Sequence, residues 1–275
     1  MKKSIVICFF LLLLPVFSAG TSAAAAQQTE DPERFFNRLA AAKEDADRIR
    51  INDSIKTYIE GYVRSDSVMD HRFSAIRYLG QIIAPDSSLK IITWNLPLKE
   101  VPGHYFCYLI RKEEEGEPFK IFSQEALYSP GSIRTDTTYS SENWYGALYY
   151  DVRKAGDSDN SWVLLGIDYG NPRITRKVID VVSFTENDVP VFGKKVFSPL
   201  PDSLLFRAVF SYSTEAVMSL RFLSGDTVVF DHLVSFSQAD GNNPEFFAPD
   251  YSYDAYIKEE GIWKLKNSID VRNSE

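Results

Sequence analysis

The sequence predicts a mainly β protein with a small helical N-terminal part, whose strands form an antiparallel sandwich or a curved meander. Before Pro85, apolar residues recur at helical spacing, and after it they alternate in short runs rich in Tyr, Phe, Val and Ile. Short polar links separate these runs, which favours antiparallel neighbours because parallel strands need long crossovers. The predicted organisation is a signal peptide over 1–26, a helical segment over 27–85 and an antiparallel β-domain over 86–275.

The first 26 residues have the three parts of a cleaved export signal. Lys2 and Lys3 give a basic start, an apolar run of about 13 residues extends from Ile5 to Phe17, and small residues end the segment at Ala26. A membrane-spanning helix needs roughly 20 apolar residues, so a cleaved signal is favoured over an anchor. We therefore expect an exported protein, periplasmic or extracellular, with no membrane span after cleavage.

Net charge and cysteine content argue against several classes of protein. The formal net charge is −8, and cleavage after Ala26 removes two lysines and no acid, which leaves −10. A chain this acidic is a poor partner for the phosphates of nucleic acid. Cys107 is then the one cysteine of the mature chain, and it stands between large apolar residues. We expect it to be a buried, unreactive thiol that forms no internal disulfide.

Three helices are predicted in the helical segment. The first begins at Pro32, because Asp31 is a good N-cap and proline is favoured at the first helical position. Its apolar stripe continues to Ile49. A second helix is expected from Asp53 and a third from about Asp66 to Ile82.

About ten strands are predicted after Pro85, each bounded by turn residues such as Gly, Asn, Asp and Ser. The candidate segments are Leu89–Trp94, His104–Lys112, Phe119–Phe122, Trp144–Arg153, Ser161–Tyr169, Lys177–Phe184, Phe206–Tyr212, Ala216–Leu223, Thr227–Phe236, Tyr253–Glu259 and Gly261–Lys266.

Catalytic and metal-binding motifs are absent from the sequence. The three histidines do not cluster, and there is no zinc spacing, nucleophile elbow or phosphate-binding loop. We therefore predict no catalytic residue, no metal site and no cofactor. Asp231 and His232 are adjacent, but alternation along a strand places them on opposite faces, so they cannot form a catalytic pair. His232 is expected at the edge of the core with one hydrogen-bond partner.

An aspartate recurs within apolar strand segments. The five positions are Asp168, Asp180, Asp231, Asp254 and Asp270. A buried carboxylate without a partner costs several kcal/mol, so these groups must be paired or solvated. One interpretation is that some converge on an open face and bind a cation or a sugar hydroxyl. The other is that they face solvent or pair with Arg173, Arg176, Arg207 or Arg221.

Aromatic density points to a binding surface on the β-domain. Tyr251 and Tyr253 share one strand face, and Asp254 and Tyr256 share the other, so one set faces outward if the strand is half-buried. An outward ring beside a carboxylate offers stacking and a hydrogen-bond acceptor. We expect any ligand-binding surface to include Trp144, Tyr253 and Asp254. The alternative for Asp254 is an ion pair with a nearby lysine such as Lys258.

Four segments together resemble one uncharacterised family of secreted bacterial proteins. The segments are Ile92–Leu98, Asn143–Tyr150, Glu215–Arg221 and Asp250–Ala255. The resemblance covers roughly residues 85 to 273. It implies export and a shared β-domain, and it brings no known activity or catalytic residue.

These observations predict an exported, non-enzymatic binding module for a glycan, a peptide or a protein partner of the cell envelope. The alternative is a carboxylate-based hydrolase acting in the periplasm, with carboxylates contributed by separate strands. In glycosidases, two such carboxylates lie about 5 to 10 Å apart.

Overall fold

A computed structural model describes residues 31–74, 76–113, 116–156, 160–237, 239 and 241–270. The predicted signal peptide lies outside these residues. The described helices are α1 (Pro32–Ala41) and α2 (Asp45–Val63), with a short 3-10 helix at Pro244–Phe246. The described strands are β1 (Gly80–Ile83), β2 (Leu89–Leu96), β3 (His104–Lys112), β4 (Phe119–Leu127), β5 (Tyr139–Ser140), β6 (Leu148–Lys154), β7 (Ser161–Asp168), β8 (Ile174–Phe184), β9 (Pro190–Phe192), β10 (Phe197–Ser198), β11 (Ala208–Ser213), β12 (Leu220–Ser224), β13 (Thr227–Ser235), β14 (Phe247–Glu259) and β15 (Ile262–Lys266).

The strands form three sheets. Sheet A has the order β1-β2-β3-β4, and sheet B has the order β5-β9-β8-β7-β6, with β11 also paired to β8. Sheet C has the order β10-β15-β14-β13-β12. Neighbouring strands are antiparallel except for the short parallel pair of β10 and β15. The mainly β fold class predicted from alternation is therefore confirmed.

The three sheets and the helices are stacked as four layers with an apolar core between each pair. The helices cover one face of sheet A, where Ile55 and Ile59 pack with Trp94 and Ile110. The other face of sheet A packs on sheet B. The second face of sheet B packs on sheet C. Sheet B is thus covered on both faces, which explains why β7 and β8 are buried at most positions.

The helical predictions are right at the N-terminus and wrong further along. Asp31 caps α1, and its Oδ1 accepts the Glu33 backbone N–H at 3.0 Å. The stripe to Ile49 is divided between two helices, and α2 runs through Asp53 without a break.

The third predicted helix, Asp66–Ile82, does not form. Its chain makes turns and then enters β1. Local turns such as that from the Ser67 carbonyl to the His71 N–H satisfy part of its backbone, and side chains from sheet A satisfy another part. The Gln81 amide bonds both the N–H and the C=O of Phe73, each at 3.1 Å. Lys90 Nζ donates to the carbonyls of Val68 at 2.5 Å and His71 at 2.6 Å.

Two of the five strand aspartates are buried and paired with arginine, as one of the two interpretations expected. Asp168 Oδ2 lies 2.7 Å from Arg176 Nη1, and Asp180 Oδ2 lies 3.0 Å from Arg207 Nε. Each arginine also donates to the backbone of the long connection between β4 and β5. Arg176 bonds the carbonyl of Pro130 at 2.9 Å, and Arg207 bonds that of Thr137 at 2.9 Å. The two pairs therefore fasten this connection to sheet B.

The cysteine prediction is confirmed in the structure. Cys107 is a free thiol on β3, fully buried between sheets A and B. Burial in apolar surroundings raises its pKa well above the usual range, because the thiolate would be desolvated there. Such a thiol is not a nucleophile at neutral pH.

Candidate functional site

A wide irregularity interrupts the pairing of β13 and β14. Asp231 lies opposite Tyr253 and Leu233 lies opposite Pro249, so residues 250–252 of β14 bulge outward opposite His232. Bulges re-aim side chains and are over-represented next to functional sites. We refer to His232, Asp254 and residues 250–252 as the bulge site.

His232 and Asp254 form a cross-strand pair at this position. His232 Nδ1 lies 2.7 Å from Asp254 Oδ2, and the other oxygen of Asp254 accepts the Ser268 backbone N–H at 3.0 Å. Asp254 is buried, whereas the His232 side chain is 40% exposed. Within the described part of the chain, Nε2 of His232 has no hydrogen-bond partner. The imidazole is therefore held by one nitrogen and offers the other to solvent.

Electrostatics at the bulge site favour the protonated imidazole. The hydrogen bond with Asp254 raises the pKa of His232 above its usual value, and the charges of Asp254 and Asp250 act in the same direction. The Asp250 carboxyl has a lowered pKa because it accepts hydrogen bonds from the hydroxyl and the backbone N–H of Ser252 at 2.7 and 3.0 Å. His232 therefore presents a charge-assisted N–H donor over a wider pH range than a free histidine does.

The backbone around the pair has two left-handed residues that are not glycine. Tyr251 has a φ of 70° and Ser268 has a φ of 56°. For residues with a side chain this conformation costs roughly 1 to 2 kcal/mol. The Tyr251 ring is 95% exposed, so its own packing does not offset that cost. Strained residues of this kind concentrate at functional sites.

The structure places two of the three sequence-predicted site residues at the bulge and the third elsewhere. Tyr253 is half-buried on β14 and Asp254 is the buried partner of His232. Trp144 precedes β6 and is buried between sheets A and B, where its Nε1 donates to the Tyr149 hydroxyl at 3.1 Å. Its role in ligand binding stays a prediction.

A small cavity, separate from the bulge site, lies beside Trp144. The cavity has a volume of about 240 Å³, and Tyr139, Tyr145 and Asp168 are among the residues around it. Asp168 is already bonded to the Tyr105 hydroxyl at 2.9 Å as well as to Arg176. The carboxylate of this cavity is therefore already used by the fold.

The alternative pairing of Asp254 with Lys258 is wrong. Lys258 Nζ donates to the carbonyl of Ala155 and lies 3.6 Å from Asp226. The prediction that Asp231 does not pair with His232 is confirmed, since Asp231 Oδ2 accepts the Ser219 N–H at 2.7 Å.

The sequence predicted one hydrogen-bond partner for His232 but did not indicate that this partner is Asp254. Regular alternation opposes Asp254 to Phe230, as the register shows. Asp254 meets His232 instead, two residues further along β13 on the same strand face, where the bulge interrupts the register. The available signal for the bulge was the Asx turn at Asp250, whose carboxylate accepts hydrogen bonds from the N–H and the hydroxyl of Ser252.

The described residues also limit other kinds of site. They contain no group of three or more His, Cys, Asp or Glu side chains that could hold a metal ion. No helix among them is long and apolar enough to cross a bilayer.

Comparison with protein-family models, curated proteins and solved structures gives no match to this chain.

Proposed function

We propose that this chain is an exported, non-enzymatic binding module, and that its ligand is a glycan or a peptide segment that contacts the bulge site. One observation carries the proposal. Among the described residues, His232 is held by Asp254 through Nδ1 and has no partner at Nε2, and the bulge opposite it in the register carries Tyr251, which is 95% exposed on a strained backbone. A charged N–H donor beside an exposed ring suits a ligand with hydrogen-bond acceptors and a face that can stack.

The proposal is tested with a glycan array and a peptide pull-down on purified wild type, Tyr251→Ala and His232→Gln. We expect one ligand class to bind wild type and to lose at least about tenfold in affinity in each variant, since a hydrogen bond to a charged group contributes about 1.5 to 3 kcal/mol. His104→Gln is the matched control, because His104 forms a similar pair with Glu125 at 3.0 Å on sheet A. Equal binding by all four proteins, or by none, would remove the bulge site from consideration.

The hydrolase alternative needs a nucleophile or a carboxyl acid beside the substrate. Burial raises the pKa of Asp180, as a general acid requires, but this carboxylate is fully buried and bonded to Arg207. Product release from an oligosaccharide by wild type, abolished in Asp254→Asn, would favour hydrolysis over binding alone.

A further inference from the structure

A second surface feature lies at the edge of the interface between sheets B and C. Lys177 is on β8, opposite Ile167 of β7 and Phe210 of β11, on the face of sheet B that packs on sheet C. Its side chain is half-buried. The methylene chain of Lys177 therefore lies along the apolar layer between sheets B and C, and its ammonium reaches the edge of that layer.

Among the described residues, no hydrogen bond or ion pair joins the Lys177 ammonium to an acceptor. The ammonium lies over the ring face of Tyr150, whose centroid is 4.9 Å from Nζ. Asp231 is the carboxylate whose charge acts on Lys177, and its Oδ2 already accepts the Ser219 N–H. Burial lowers the pKa of Lys177, as expected for a cation that lost water without gaining a hydrogen bond.

Two exposed rings flank this cation. Tyr150 is 37% exposed and fixed by a hydrogen bond from its hydroxyl to the Leu220 carbonyl at 3.0 Å. Tyr169 is 48% exposed and follows β7 by one residue. Alternation puts its side chain on the face of Ile167, diagonal to Lys177. Together Lys177, Tyr150 and Tyr169 form what we call the Lys177 site.

We propose that the Lys177 site binds a carboxylated sugar of an acidic glycan, with the carboxylate on Nζ and the sugar ring against a tyrosine face. The chain has a net charge of −8, so an anion is attracted only where a cation is locally unpaired. The apolar faces of sugar rings fit exposed aromatic side chains.

A peptide C-terminus would present the same carboxylate, but it is recognised by free backbone N–H groups as well as by a cation. The nearby N–H groups are occupied. That of Tyr169 donates to the Tyr105 hydroxyl at 2.6 Å, and that of Gly170 donates to Asp168 at 2.7 Å. The sugar therefore fits this surface better than the peptide does.

The experiment is a titration of the full mature chain, followed by calorimetry or amide chemical shifts. The probes are a galacturonic acid trimer, the neutral galactose trimer, and triglycine with a free carboxylate. We expect the acidic trimer to bind at least about tenfold more tightly than either other probe. Lys177→Met should lose at least about tenfold in affinity for it, and Tyr169→Ala about threefold or more.

Two controls separate a binding role from a structural one. Lys112→Gln removes an exposed lysine at the end of β3 and should bind as wild type does. Lys177→Met should also raise the thermal midpoint by about 2 to 4 °C, because an unpaired, half-buried charge is lost. A lowered midpoint would instead mark Lys177 as structural.

The Lys177 site shares no residue with the bulge site and its function goes beyond the one proposed there, so His232→Gln should leave binding of the acidic trimer unchanged. Tighter binding of triglycine, equal binding by wild type and Lys177→Met, or no binding of the acidic trimer at millimolar concentration would each overturn it.

Discussion

Replacing Asp180 with alanine removes the acceptor from the most deeply buried ion pair of sheet B. Neither Asp180 nor Arg207 has an exposed side chain. Arg207 Nη2 also donates to the Phe192 carbonyl at 3.0 Å, and the Tyr145 hydroxyl donates to Asp180 at 2.9 Å. The variant therefore leaves a guanidinium without its counter-charge and a tyrosine without its acceptor.

The expected loss is about 3 to 5 kcal/mol of unfolding free energy, the range for breaking a buried ion pair from one side. Whole domains are stable by about 5 to 15 kcal/mol, so this loss is about a fifth of the total or more. With a urea m-value of roughly 3 kcal/mol per molar, the midpoint falls by about 1 to 1.7 M.

Urea unfolding followed by tryptophan fluorescence measures this shift, since Trp144 and Trp162 lie in the core that contacts sheet B. Asp136→Ala is the matched control, because Asp136 makes a two-point pair with Arg134 at 3.0 Å with both side chains 66% exposed. Its midpoint should stay close to that of wild type. If Asp180→Ala moves the midpoint no further than Asp136→Ala, the pair does not hold the connection between β4 and β5 as the structure indicates.

Three other titratable groups give testable outcomes. Cys107→Ser should lower the free energy of unfolding by about 1 to 3 kcal/mol, because it buries a hydroxyl that has no hydrogen-bond partner. A thermal scan in which the variant is completely unfolded would contradict this prediction. The His232 imidazole should titrate above 6.5 by NMR and return toward that value in Asp254→Asn. Because the pKa of His232 is raised in the folded state, the stabilisation from this pair is complete below pH 6.5 and is lost as the pH rises through the folded pKa. A His232 titration that Asp254→Asn leaves unchanged would refute this prediction. Burial lowers the pKa of Lys90 from 10.5 to about 8, so the stability of wild type relative to Lys90→Met should increase between pH 8 and 10.5. A flat difference over that range would mean that Lys90 stays protonated in the fold.

The strands could be predicted from the sequence because alternation and turn residues are local signals. The prediction for β3, His104–Lys112, has both of its ends in the right place. The strands that escaped prediction are short ones such as β5 and β10, which have two residues each and exist only because a neighbour pairs with them. Local patterns do not record such pairing.

The third helix shows why helical spacing alone misleads. Ile76 and Leu79 are buried as the stripe required. The backbone of the same segment is nevertheless held at Phe73 by Gln81 and at Val68 by Lys90, both of which lie on strands of sheet A. Tertiary hydrogen bonds replaced helical ones, and a pattern of apolar residues does not distinguish the two cases.

The bulge site could be predicted only in part for a related reason. Tyr253 and Asp254 were identified from aromatic density and strand alternation, whereas His232 joins Asp254 beside a register shift between two strands. A register depends on the whole length of both strands, and two extra residues are enough to change which side chains meet.

The order of the layers follows the order of the chain. The helices and sheet A occupy residues 31–127, the strands of sheet B begin at 139, and sheet C is completed by β15 at 266. A chain that emerges from the ribosome with its N-terminus first would thus deliver each layer after the one on which it docks. β10 is the exception, because it precedes β11 of sheet B in the chain but pairs with β15, the last of the described strands. The edge of sheet C that β10 forms is therefore closed only when residues 262–266 have emerged, whereas sheet B is complete once β11 has paired with β8.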